Sequence, residues 1–191
     1  MRLRAIDALV RLLVVEPEQP FSFYLATASQ LAEWKQLEKA AWVYRRMAER
    51  FENDPQYREQ FLHLLPRIAD TYFDLEEWQV AIEFLERLER AYPRSPQVLF
   101  RLAEACERAG EHSKAAAHYR TLLRLHPENT EFWWKAEYGL IMMYFLMGEH
   151  SRVLAMVDRD AFLYPNLGGE HYRPRIEAVR EMAAALSTEP R

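Results

Sequence analysis

The chain carries a single cysteine, Cys106, in 191 residues, which excludes an internal disulfide and any thiolate metal cluster. Glycine is scarce at five, and no glycine-rich stretch is arranged to cradle a phosphate. The six histidines, His63, His112, His118, His126, His150 and His171, show neither H-x-x-x-H nor E-x-x-H spacing, so no metal site is expected. A nucleophile elbow and a Ser-His-Asp order are also missing. These absences point to a non-enzymatic chain without metal or cofactor. The formal net charge of -4 lacks the positive balance that would draw the chain to nucleic acid or an anionic membrane surface, and no uninterrupted apolar run reaches the length of a membrane span.

What is present is helix-forming. Half the residues are apolar and 28% are charged, with Ala, Leu, Glu and Arg prominent, a composition that favours an all-helical protein. The opening MRLRAIDALVRLLVVEPEQP has the basic start of a signal peptide, but Asp7 and Arg11 interrupt its apolar part. It reads as helix, and the expected location is cytoplasmic if Met1 is the natural start.

Leu99 to Pro127 organises the rest. Leu99, Leu102, Ala103 and Cys106 fall on one side of a helix, Ala115, Tyr119 and Leu122 on one side of a second, with Gly110 between and Pro127 after; these spacings are helical. Small residues at Ala103 and Ala115 let two axes approach closely while the larger side chains fill the space around them. The unit recurs. The step of 16 from Leu99 to Ala115 also joins Tyr24 to Ala40, Leu65 to Ala81 and Glu137 to Val153. Each small slot is followed four residues later by a bulky one, at Tyr44, Leu85, Tyr119 and Val157. Prolines stand twelve after the slot at Pro93, Pro127 and Pro165, and Pro17 stands twelve after Ala5.

This pattern, L-x-x-L-A-x-x-C, then A-x-x-x-Y, then P, with a period of 34 from Pro93 to Pro127, resembles the tetratricopeptide repeat (TPR) family. Leu99, Ala103 and Cys106 stand where that family has Trp, Gly and Tyr. The resemblance implies an all-α fold: a right-handed superhelix, or α-solenoid, of antiparallel helix hairpins spanning residues 1–191. The expected parts are an N-terminal half-repeat at 2–15, repeats at 21–54, 55–95, 96–129 and 130–166, and a C-terminal capping helix at 172–186. The first helices of the second and fourth repeats are lengthened, by about two turns and about one. The longer of them is expected to run from Pro55, capped by Asp54, to Asp74, and Pro66 within it predicts a kink or break costing roughly 3 kcal/mol. The last hairpin departs from the pattern, with Val153 at the small slot and Asp160 where a small or apolar residue is usual. Pro174 to Leu186 reads as an amphipathic helix with Ile176, Val179, Ala183 and Leu186 on one stripe, and the tail from Ser187 to Arg191 reads as disordered.

The resemblance also implies that the first helices line a concave groove that grips a segment of another protein. Residues predicted to project there are Arg67, Asp70 and Asp74, then Arg101, Glu104 and Arg108, then Trp134, Tyr138, Met142 and Phe145. The family's Lys-Asn-Arg clamp for a C-terminal carboxylate is absent as a set, since Leu25, Ser29 and Arg67 occupy its other slots and only Arg101 matches. Arg67 and Arg101 either hold a partner's carboxylate or belong to a solvated lattice with Asp70, Asp74 and Glu104. The row from Trp134 to Phe145 is either covered by the C-terminal helix or open as an anchor for apolar side chains. Ile6, Leu9, Val10 and Leu13 in the half-repeat either lie on the next helix or form an assembly surface, for a homo-oligomer or for the remainder of a larger protein. The leading expectation is therefore a scaffold that binds a partner segment; the alternative is a structural assembly or spacer segment.

Overall fold

The computed structural model describes residues 2–187, with side chains from Ala5 onward. Among the described residues there are ten helices and no strand. The chain divides into two compact units, Met1–Ala91 and Tyr92–Arg191, at the stop after the second hairpin, where Tyr92, Pro93 and Arg94 are exposed.

Unit 1 contains α1 (Arg2–Val15), the hairpin α2 (Phe21–Glu33) with α3 (Leu37–Phe51), and the hairpin α4 (Arg58–Asp74) with α5 (Trp78–Ala91). Unit 2 contains the hairpin α6 (Pro96–Arg108) with α7 (His112–Leu125), the hairpin α8 (Glu131–Leu146) with α9 (His150–Leu163), and α10 (Gly169–Ser187). The repeated slots build both cores. Ala40, Ala81, Ala115 and Val153 are all fully buried, and the bulky residues that follow them and the opening residues Tyr24, Leu65, Leu99 and Glu137 are buried too. Each large apolar side chain so placed stabilises the fold by about 1.5–3 kcal/mol relative to an exposed one.

The four hairpin turns share one hydrogen-bond pattern. The amides of Lys35, Glu76, Gly110 and Gly148 donate to the carbonyls of Ala32, Phe73, Glu107 and Phe145, and the next amides reach back five residues, to Leu31, Tyr72, Cys106 and Tyr144. This closure needs a left-handed residue just past the helix, and those four have φ of 58°, 59°, 75° and 75°. Glycine adopts that conformation freely in unit 2, whereas lysine and glutamate are held in it in unit 1.

Several expectations change. The helix predicted from Pro55 starts at Arg58, because Asp54 accepts from the Gln56 amide with its side chain and from the Tyr57 amide with its carbonyl, closing a turn ahead of the helix. It then runs unbroken through Pro66. The C-terminal helix starts at Gly169 and encloses Pro174, with Tyr172, Ile176, Val179 and Ala183 buried and Leu186 exposed. Two of the residues offered as an assembly surface, Ile6 and Leu13, belong to the core at 2% exposure each, while Leu9 and Val10 are half-buried. The half-repeat is fixed by Lys39 to Asp7 at 3.1 Å and by Tyr24 and Arg50, which both donate to the Pro17 carbonyl. Of the predicted tail, residues 188–191 lie outside the described residues.

Candidate functional site

The predicted groove residues fall on three helices. On α4, Arg67, Asp70 and Asp74 are exposed at one-turn spacings. On α6, Arg101 pairs with Glu104 at 3.1 Å, and Arg108 is exposed one turn further on. Arg67 and Arg101 belong to different units.

On α8 the aromatic row divides. Trp134 is buried at 2% exposure, donating from Nε1 to Asn129 Oδ1 at 2.9 Å and lying against the rings of Trp133 and Tyr164. The backbone at Gly168, left-handed at φ 76°, passes so close to the indole that an added Cβ would stand 2.7 Å from it. Trp134 is thus a packing residue, and the expectation that it projects into a groove is corrected. Tyr138, Met142 and Phe145 stay half-buried; the Tyr138 ring faces Tyr172 of α10 at 6.3 Å and Phe145 faces His150 at 5.5 Å. Lys135 lies over the Phe100 ring at 4.8 Å, which brings α6 and α8 together along this side of unit 2.

A second constellation was not anticipated. Glu137 and Asp160 occupy slots that hold Leu65 and Leu88, or Leu99 and Leu122, in other hairpins, and they are buried at 1% and 0% exposure. Arg159 bridges them, with Nη2 2.5 Å from Glu137 Oε1 and 2.6 Å from Asp160 Oδ1. Burial, then the neighbouring Asp160, pushes Glu137 up to about 8, and Arg159 offsets only part of this. Burial and the neighbouring carboxylate thus favour the protonated form of Glu137. Asp160 Oδ2 has no hydrogen-bond partner among the described residues.

Above the pair lies a cavity of about 420 Å³ between α7 and α9, with α8 as its floor. Arg120 and Arg124 stand on one wall, Arg152 and Arg159 on the other, and Leu140 and Tyr144 lie between. The α7 wall sits close on the α8 floor because Gly139 lets the Tyr119 ring rest on the α8 backbone, where an added Cβ would come 2.5 Å from it. The Tyr119 hydroxyl donates to Glu107 at 3.1 Å, and burial together with that carboxylate raises its pKa. The sequence signal for this region was the pair of carboxylates standing in two packing slots.

Among the described residues no group of three His, Cys, Asp or Glu side chains could hold a metal ion, and no helix is long and apolar enough to cross a membrane. Cys106 is buried. Helix pairs of constant register, closed by one type of turn and carrying grooves lined by charged and apolar side chains, define a helical-repeat scaffold.

The repeat is similar to the tetratricopeptide repeat: the model of that family matches residues 67–134. Among solved structures the chain is similar to MamA (AMB-1), at 18% identity over 85% of this chain and 84% of that one, with a TM-score of 0.59. It is similar to YrrB at 15% identity over 95% and 84%, with a TM-score of 0.58. A tetratricopeptide repeat protein from Parabacteroides merdae matches at 13% identity over 97% of this chain and 66% of its own, with a TM-score of 0.58. No curated protein matches the sequence.

Proposed function

We propose that the chain is a non-enzymatic interaction scaffold that holds a segment of a partner protein along the side of unit 2 formed by α6 and α8. The observation that carries this reading is the row of Tyr138, Met142 and Phe145. It stays half-exposed on α8 although α10 packs on the same helix, and it adjoins a helix that presents Arg101, Glu104 and Arg108. Apolar side chains of a partner would sit on Met142 and Phe145, where desolvation gives most of the binding energy. The arginines would set register and suppress mismatched partners. The Arg101–Glu104 pair is surface-exposed, so exchanging Glu104 for a partner's carboxylate costs little. YrrB, one of the similar structures, has an unusual peptide-binding site, which supports segment binding as a use of this fold.

The buried Glu137–Asp160 pair does not favour an enzyme. Arg159 bridges both acids and Asp160 has no exposed surface, so a reacting group has no approach to it. The test is capture of partners by the full chain against the variant Arg101→Glu with Met142→Asp, both at solvent-accessible positions. Capture falling about tenfold with unchanged helical content is the expected result; undiminished capture removes the assignment.

A further inference from the structure

The geometry points to a second binding site on unit 2, in the groove between α7 and α9, that takes an extended acidic segment of a partner protein. It is independent of the α6–α8 side in both position and chemistry.

The argument starts from which cations are already satisfied. Arg159 is committed to the carboxylates beneath it. Arg152 is paired with Glu149 at 3.0 Å and stacked on the Tyr144 ring at 3.9 Å. Among the described residues, Arg120 and Arg124 pair with no carboxylate. Arg120 donates from Nε to its own helix at the Ala116 carbonyl, and Arg124 donates to the Thr121 hydroxyl, neither of which carries charge. Two guanidinium groups thus stand uncompensated on one wall of a cavity, in a chain whose net charge is -4. A guanidinium presents a planar fork of donors that fits a carboxylate through two parallel bonds.

Spacing selects the shape of the ligand. Arg120 and Arg124 are one helical turn apart, about 6 Å along α7. Alternate residues of an extended chain lie about 7 Å apart on one side. An acid–any–acid segment lying along α7 would therefore meet both arginines, with aliphatic neighbours available for the floor of Leu140 and Tyr144. Nucleic acid fits less well, because its affinity comes from a long row of cations, whereas here two stand without a carboxylate among the described residues, and acidic Glu149 caps α9 while Asp158 lies on it.

The test is selection of a random library of short displayed peptides on the full chain, followed by affinity measurements on the enriched sequences. Acidic residues at alternate positions should be enriched. These peptides should bind about tenfold more weakly to Arg120→Glu with Arg124→Glu, weaken when their acids become amides, and bind Met142→Asp as they bind the parent chain. Arg120→Lys with Arg124→Lys keeps charge and fold but loses the fork, so it should retain only part of the affinity. An enriched set without acidic residues, no enrichment at all, equal binding by the double glutamate variant, or stronger competition by a single-stranded oligonucleotide than by the acidic peptides would each overturn the proposal. Loss on Met142→Asp with retention on the double glutamate variant would assign the peptides to the α6–α8 side instead.

Discussion

Arg87 and Arg159 stand at the same place in their hairpins, six residues after Ala81 and Val153, and they do opposite things. In unit 1 Arg87 reaches outward across the groove between α3 and α5, bonding Glu52 at 2.8 Å and covering the Phe84 ring at 4.8 Å. That groove also presents Arg45, Glu49 and Glu83, so its two arginines face three glutamates and no positive charge is left over. In unit 2 Arg159 turns inward to Glu137 and Asp160. The acids have moved from the wall into the packing layer, and the walls keep their arginines. One repeat plan therefore yields a groove with no excess of positive charge where two slots hold leucine, and a cationic one where they hold carboxylates.

The strongest way to break this comparison is to remove each arginine in turn. Arg159→Ala should cost about 2–3 kcal/mol, because it strands a buried carboxylate, whereas Arg87→Ala should cost about 1 kcal/mol, since its pair is partly solvated. Urea denaturation of the two variants measures both, and equal losses would mean that the inward turn of Arg159 carries no special energy. Next in size, Glu137→Leu with Asp160→Leu restores the residues found at Leu65 and Leu88 and should stabilise the chain by about 2 kcal/mol, as replacement of a buried ionic cluster by apolar residues often does. A loss in the same denaturation assay would show that the leucines do not fit.

The smallest effect is a slope. Glu137 titrates near 8 in the folded chain and at 4.5 ordinarily, so between those values the folded chain holds a proton that the unfolded chain has released. Folding is then favoured at the acidic end of that window, and the parent chain should lose stability as pH rises through it. Glu137→Gln cannot release the proton and should flatten the dependence. Denaturation midpoints taken at both ends of the window test this, and an unchanged slope would assign the pH dependence to other groups.

The four hairpins were legible because their slots are local and repeat: counting from Ala40, Ala81, Ala115 and Val153 places every turn. Helix starts were harder. Asp54 and Pro55 have the chemistry of a cap, yet the same Asp54 oxygens close a turn first. Pro174 reads as a first residue, but the chain is already helical from Gly169. Glu137 and Asp160 were each visible as occupants of packing slots. Their meeting was not, because the count compares a residue with its counterparts in other repeats and not with its neighbour across the hairpin. The two apolar faces of α8 were equally plain, but which aromatic is covered depends on the path of the Leu167 to Gly169 turn over Trp134.

The turns themselves carry a consequence for how the protein can evolve. Lys35 and Glu76 hold a left-handed backbone that costs a side-chain-bearing residue about 1 kcal/mol or more, while Gly110 and Gly148 hold it freely. Unit 2 already has at both reversals the residue that suits them. Unit 1 keeps an untapped reserve at two solvent-facing positions, which a lineage could draw on to offset a costly change elsewhere in that half without altering the register of a single helix.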